Sequence, residues 1–281
     1  MRRWYVLAAL LAVAALALVA LVLPGRGGSE PAGAGGHYLA LGDSLAVGVQ
    51  PSGTDRSRGY VAHIHRALRE DGEIGLTNLA CSGETTTSLI EGGSCSYDGA
   101  DSQLEAAKRF LGANRDTTRL VTLDIGANDV TRCVGTRVDT ACAAETFATV
   151  RRNLDRILRE LRAAAGPRVR IVGMNYYDPF LAAWLEGSAG RTVARRSMEL
   201  AREFNDQLEA VYAAYDADVA DVERAFATTV TAAAPDEGAR PLNVARICRW
   251  TWMCTEHRDI HANDAGYRVI ARTFLAVLER E

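Results

Sequence analysis

The stretch YLALGDSLAVG, Tyr38 to Gly48, joins an apolar run to an abrupt Gly-Asp-Ser. Tyr38–Leu41 has the make-up of a short buried strand, and Gly42-Asp43 is turn chemistry. Alone, this is an ordinary strand running into a turn, and its meaning depends on the rest of the chain. Strand-like and helix-like segments alternate after it. Tyr60–Glu70 has helical spacing, Ile74–Leu79 is a second strand, and Ser102–Leu111 is a helix. Leu120–Ile125, inside RLVTLDIGAND, is a strong strand. Ala143–Ala165 carries Phe147, Val150, Leu154, Ile157, Leu158 and Leu161 at helical spacing and stops at Gly166-Pro167. RVRIVGMN is the next strand, Val193–Tyr215 a long amphipathic helix, DADVADV a weaker strand and Asp264–Arg280 a closing helix. Such alternation predicts an α/β domain, one parallel sheet covered by helices on both faces. Ligands bind such sheets beyond the carboxyl ends of the strands. Gly42-Asp43-Ser44, Ser82-Gly83 and Gly126-Ala127-Asn128-Asp129 each follow a strand, so all three are expected at one edge.

Of the 281 residues, 48% are hydrophobic and 24% charged, with a formal net charge of −3, which is ordinary globular composition. No basic face or run points to nucleic acid. The N-terminus places Arg2 and Arg3 before an uncharged apolar run, Trp4–Leu23. That run is long enough to span a bilayer, so residues 1–23 are read as a cleaved signal peptide or a signal-anchor helix, a possible membrane tether through residues 4–23. Residues 24–36 form a Gly/Pro/Ala/Ser-rich linker, and residues 37–281 one globular domain. Either reading of the N-terminus exports the domain, secreted or held at the outer face of the cell membrane. Six cysteines agree with an oxidising compartment. They admit fifteen pairings. Pairing of chain neighbours is the expectation: Cys81–Cys95, Cys133–Cys142 and Cys248–Cys254.

A serine nucleophile needs a base within hydrogen-bond reach and donors aimed at the developing oxyanion. Five histidines are available. His37 lies at the linker, and His63 and His65 sit two apart on a helix and face different ways. His261 precedes the last helix, which Asn263 or Asp264 caps, so a loop would present it as a base. His257 and His261 stand at i and i+4, but the sequence is not His-Glu-x-x-His, and no metal or cofactor is expected.

On these residues the chain resembles the SGNH, or GDSL, hydrolase superfamily, in the form of its exported actinobacterial esterases and lipases. Ser44 in GDSL matches the first block, Gly83 in NLACSGETTTSLI the second, Asn128 in DIGANDV the third and His261 in DIHANDAGY the last, all in family order. CSGETTTSLIEGGSC and SQLEAAKRFL also fit that branch. The resemblance implies a three-layer α/β/α sandwich with a central parallel, flavodoxin-like sheet. It implies Ser44 as nucleophile, His261 as base, and an oxyanion hole made by the N–H groups of Ser44 and Gly83 and the amide of Asn128. A Cβ-free residue at 83 would let the backbone approach a ligand closely. In the family an Asp usually stands three residues before the His. Here that place holds Arg258, and Asp259 falls two before, an offset expected to aim its side chain differently. Three readings stay open: Asp259 reaches the ring, a backbone carbonyl near Arg258 orients it, or another acid does. The balance leans to a dyad-like arrangement, with Asp259 the candidate third member.

Asp43 and Asp129 are expected to hydrogen-bond backbone at their own turns, and Glu84 to be structural. Tyr176 and Tyr177, in NYYDPF, stand just after a strand at the active edge and are candidate pocket walls. Pocket shape is expected to depend on residues 85–100, 176–190 and 228–250. Each expected disulfide would brace a loop that holds a site residue. The function implied is an exported serine esterase acting on a lipid, acylated glycan or small-molecule ester, as a monomer. Carbohydrate acetylesterase, phospholipase or thioesterase, and a silent glycan- or lipid-binding module are the alternatives.

Overall fold

A computed structural model describes residues 36–233 and 240–280. The chain divides into Met1–Ala34 and a compact unit Gly35–Glu281. The N-terminal apolar run falls outside the described residues. Among those described, no helix is long and apolar enough to cross a membrane.

Five strands build the sheet: β1 (Gly36–Gly42), β2 (Ile74–Asn78), β3 (Thr118–Asp124), β4 (Arg170–Met174) and β5 (Asp218–Ala220). Their order is 2-1-3-4-5, and every neighbouring pair is parallel. Parallel strands need crossover helices, and right-handed crossovers fix where those helices lie. The chain moves one way from β1 to β2 and the other way from β2 through β5. So α1 (Tyr60–Leu68) covers one face, and α2 (Gln103–Ala113), α3 (Thr140–Ala165) and α4 (Gly187–Ala213) cover the other. Packing agrees: α2 lies on α3 and α3 on α4. After β5 come a single helical turn, Val222–Ala225, and the longer α5 (Leu242–Trp250) and α6 (Asp264–Leu278), and α6 packs on α1. The result is the three-layer sandwich that the sequence predicts.

The burial pattern explains the elements. The middle of β3 is buried on both faces, as in a covered parallel strand. In α3, Phe147, Val150, Leu154, Ile157, Leu158 and Leu161 form one buried stripe. Each of three helix starts carries its cap: Ser102 accepts from Glu105 N–H, Asp139 from Ala141 and Cys142, and Asn263 from Ala265 and Gly266.

Several elements differ from the sequence reading. α4 begins at Gly187 rather than Val193, because Gly-Ser-Ala-Gly carries no large apolar side chain to show the helical period. A 3₁₀ helix, Pro179–Glu186, precedes it, and α5 is a further helix that the sequence pattern does not mark. The largest difference concerns His261. It lies not in a loop but on a short strand, β6 (Asp259–Ala262), antiparallel to Thr251–Trp252. Between the two strands the chain doubles back through Thr255–Arg258, with Arg258 at φ +46°.

Candidate active site

The carboxyl ends of β1 to β4 meet at one edge. β1 runs straight into Ser44, the first residue of a single helical turn, Ser44–Val47. Asp43 caps that turn: its Oδ1 accepts from Leu45 N–H at 3.0 Å. β6 comes over the same edge. His261 Nε2 stands 2.8 Å from Ser44 Oγ, and His261 Nδ1 stands 2.6 Å from Asp259 Oδ1. That carboxylate oxygen also accepts from the His261 backbone N–H at 2.7 Å.

The two-residue offset is therefore no obstacle. The pairing of this short strand with Thr251–Trp252 is irregular, with Thr251 opposite Ala262 and Trp252 opposite Asp259, and there Asp259 Oδ1 reaches both the backbone N–H and Nδ1 of His261. The expectation that the offset aims Asp259 elsewhere does not hold. With Asp259 Oδ1 on Nδ1, the ring needs no backbone carbonyl to orient it, and the dyad-like arrangement gives way to a Ser44–His261–Asp259 chain of hydrogen bonds. Ser44 is buried, and the side chains of His261 and Asp259 keep 17% and 26% exposure, so the row is reachable from solvent at its outer end.

One tether holds β6 itself, and three hold the segments that flank it, Thr251–Trp252 and α6. Tyr177 donates from its hydroxyl to Ile260 O at 2.8 Å. Tyr267 donates to Val49 O at 2.8 Å, and Trp252 Nε1–H to Gln50 Oε1 at 3.0 Å. Arg58 pairs with Asp264 through two N–H···O bonds of 2.9 and 2.6 Å.

The glycine and asparagine loops are joined to each other. Asn128 donates from Nδ2 to Glu84 O at 2.9 Å, which sets its amide beside the residue next to Gly83. An amide nitrogen has two hydrogens, so one remains for a ligand. Gly83 has φ +81°, and a Cβ there would meet no protein atom within 4 Å. Backbone conformation, not crowding by the protein, selects glycine at this position.

Asp129 and Glu84 hydrogen-bond within the protein, Asp129 to its own backbone N–H and also across the loops. Asp129 accepts from the N–H and hydroxyl of Thr86, at 2.9 and 2.8 Å, tying the asparagine loop to the glycine loop. Burial raises the Asp129 carboxyl above its ordinary value, although the two Thr86 bonds oppose that. Glu84 accepts from Gln103 Nε2–H at 2.9 Å. Gln103 lies in SQLEAAKRFL, where the sequence assigns it no role; it is fully buried and clamps Gly42 from both sides. Its Oε1 accepts from Gly42 N–H at 2.7 Å and its Nε2–H donates to Gly42 O at 3.0 Å. Its one signal in the sequence is that of a long polar residue at the head of an amphipathic helix.

Beside Ser44 and His261 opens a cleft of about 730 Å³, its solvent-filled mouth included. Tyr176 and Tyr177 line it, in the place the sequence suggests. The remaining wall comes from Val130 and Phe180, inside DIGANDV and NYYDPF, and from Val134 and the α4 residues Leu200 and Phe204, which no motif marks. Among the described residues of the three loops expected to shape the pocket, those of 176–190 line it. Asp178, at its edge, caps the 3₁₀ helix by accepting from Phe180 N–H at 2.9 Å. Burial pushes the Asp178 carboxyl up to about 7.

Three disulfides join Cys81 to Cys95, Cys133 to Cys142 and Cys248 to Cys254. The first spans Gly83, the second lies just after Asn128, and the third closes the turn ahead of β6. His257, the other histidine of that segment, packs edge-on to Trp252 at 5.6 Å between ring centres. Among the described residues, no group of three or more His, Cys, Asp or Glu is gathered to hold a metal ion.

A parallel α/β sheet that carries a Ser–His–Asp row at its carboxyl edge has the layout of a serine hydrolase. The model of the GDSL-like lipase/acylhydrolase family matches residues 40–269, and the chain belongs to that family. It is a carboxylic ester hydrolase. Solved structures share the fold. An extracellular lipase from Streptomyces rimosus superposes with a TM-score of 0.58 at 20% identity, covering 86% of this chain and 99% of that one. The phospholipase A1 of Streptomyces albidoflavus NA297 gives 0.53 at 20%, covering 87% and 98%. The lipase Lip_vut3 from a goat rumen metagenome gives 0.52 at 19%, covering 86% and 96%. No curated protein sequence matches the chain.

Proposed function

We propose that the protein hydrolyses carboxylic esters through an acyl-enzyme on Ser44. The observation that carries this reading is the unbroken row Ser44 Oγ–His261 Nε2 and His261 Nδ1–Asp259 Oδ1, at 2.8 and 2.6 Å. His261 Nε2 takes the Ser44 proton as Oγ attacks the ester carbonyl, and returns it to the leaving alkoxide. Asp259 Oδ1 accepts from Nδ1–H, which fixes the tautomer that leaves Nε2 free to act as base and offsets the charge on the imidazolium. The oxyanion is held by Ser44 N–H, Gly83 N–H and the free amide hydrogen of Asn128. Water, activated by the same imidazole, then releases the acid.

The apolar cleft favours an acyl chain longer than acetyl. Val130, Val134, Phe180, Leu200 and Phe204 give such a chain apolar surface beside Ser44. That sets the lipid or medium-chain ester reading above the carbohydrate acetylesterase. The three disulfides support an exported enzyme.

The test is a panel of p-nitrophenyl esters of increasing acyl length, with acetylated xylan as a separate substrate and fluorophosphonate labelling as a count of reactive serines. Labelling at Ser44 and a kcat/KM that rises beyond acetate are expected. Folded protein that does not label at Ser44 removes the covalent mechanism and leaves a binding module. A maximum at acetate, with release from xylan, restores the acetylesterase reading.

A further inference from the structure

The β1 edge holds a second acidic group that the hydrolytic cycle does not use. Asp124 ends β3 and is fully buried, directly behind Gly42 and Asp43. A Cβ on Gly42 would overlap the Asp124 carboxyl, so glycine at that position lets the two strands' ends close on each other. Asp124 Oδ1 accepts from the Tyr60 hydroxyl at 2.7 Å. Its Oδ2 is buried without a donor. The Asp43 carboxyl, itself 1% exposed, lies within hydrogen-bonding reach of the Asp124 carboxyl.

Two adjacent buried carboxyls cannot both ionise at neutral pH without large cost. The surroundings offset this only in part: the Tyr60 hydroxyl and the Asp43 backbone N–H favour the Asp124 carboxylate, and the Leu45 N–H, the Ser44 hydroxyl and His261 favour the Asp43 carboxylate. The titratable groups that face the pair are Tyr38 on β1, Tyr60 on α1, Tyr176 and Tyr177 after β4, Tyr212 on α4, Tyr267 on α6, and His261 with Asp259 on β6. The tyrosines among them are neutral, and none of the set is a Lys or Arg. Burial raises both carboxyls, and their mutual bond raises Asp124 while lowering Asp43. Asp43 also gains the Leu45 N–H and lies near His261, so it carries the charge and Asp124 carries the proton.

We propose that Asp124 is a positioning residue: its carboxyl stays protonated and donates to the Asp43 carboxylate, and this bond sets the turn that presents Ser44. The inference rests on Ser44 as nucleophile. Its logic is mechanical. Asp43 spends one oxygen on Leu45 N–H, which shapes the turn. A neutral donor behind it holds the carboxylate in the one orientation that keeps that cap. An ionised Asp124 would repel Asp43 instead and loosen the turn. The same arrangement leaves one net negative charge behind the imidazolium that forms on His261.

This protonation state gives the pH effect a direction. A folded-state carboxyl raised above its unfolded value makes the native state bind more protons than the unfolded chain, so stability falls as pH rises toward the folded value. For Asp124 this fall extends well above the ordinary carboxylate range.

The experiment compares wild type, Asp124→Asn and Asp124→Leu from neutral to alkaline pH. The readouts are the rate of fluorophosphonate labelling at Ser44 and the thermal unfolding midpoint. Asn keeps a permanent donor toward Asp43. It is expected to label at close to the wild-type rate at neutral pH, and to lack part of the alkaline fall in rate and midpoint that wild type shows. Leu removes the donor and is expected to label on the order of 10²-fold more slowly, as a misplaced nucleophile does. Should the Leu variant not fold, the Asn variant alone decides. An Asn variant as slow as Leu, or one with the full wild-type alkaline fall, overturns the proposal. Wild type that does not label overturns the nucleophile reading instead, while the midpoints still decide whether Asp124 carries a proton.

Discussion

The two halves of the site are built on opposite plans. Ser44, Gly83 and Asn128 hang from the ends of three sheet strands, and buried bonds knit their loops: Gln103 to Gly42 and Glu84, Asn128 to Glu84, Asp129 to Thr86. His261 and Asp259 share one four-residue strand outside the main sheet. That strand is held by a two-residue partner and the tether to Tyr177, and its flanking segments by the Asn263 cap and the tethers to Val49, Gln50 and Arg58. The Ser44 half is therefore bound up with the main sheet. The His261 half lies outside that sheet and is joined to it through short segments.

The largest effect expected is at the junction of the halves. Ser44→Ala and His261→Ala each lower kcat by on the order of 10⁴–10⁶, with unfolding midpoints close to wild type. A variant of either that keeps appreciable turnover in steady-state assays would break the row that joins the halves. Next comes the base half's internal bond. Asp259→Asn loses on the order of 10⁴ in kcat, because an amide supports the wrong tautomer. A loss of only a few-fold would mean that the ring is oriented from elsewhere.

Asn128→Ala ranks third, with a loss of about 10²–10³ in kcat and little change in KM, the size seen when one oxyanion donor is removed. An effect confined to KM would move Asn128 from the transition state to ground-state binding. Tyr177→Phe sharpens the comparison most directly. It removes the tether to Ile260 O and should lower kcat while leaving the midpoint nearly unchanged. Gln103→Ala should do the reverse first, lowering the midpoint because Gly42 and Glu84 lose buried partners. Equal behaviour of the two variants would erase the distinction between the halves.

The smallest effect is a pH slope. Asp178 is raised to about 7 by burial, so the native state holds its proton between about pH 4, the unfolded value, and about 7. Stability falls with rising pH across that window. Asp178→Asn keeps a helix-capping oxygen and should remove that part of the fall in a midpoint-versus-pH series. An unchanged slope would place the titration elsewhere.

The sheet, its crossovers and the four block residues were legible because each rests on local pattern: apolar runs ended by Gly, helical stripes ended by Gly-Pro, and short motifs at strand ends. Neighbour pairing of the cysteines was also readable, since their chain separations are 14, 9 and 6 residues. What escaped was set by tertiary contact. Whether Asp259 reaches His261 turns on residues 259–262 forming a strand, and that strand depends on pairing with Thr251–Trp252 across a turn at Arg258. Gln103 reads as a surface residue at a helix start, and its burial depends on where Gly42 and Glu84 lie. The cleft wall from α4 was hidden for the same reason, because Leu200 and Phe204 belong to a stripe that equally describes a core-facing helix.

The bond between His261 and Ser44 closes a span of 217 positions. Contacts between residues so distant in the chain form slowly, since loop closure must precede any gain. The sheet and its first crossovers can assemble from residues 36–220, but the base arrives only with residues 259–278, where α6 docks on α1. Activity needs this long-range contact as well as the sheet, so its appearance during refolding is expected to lag the return of helical signal.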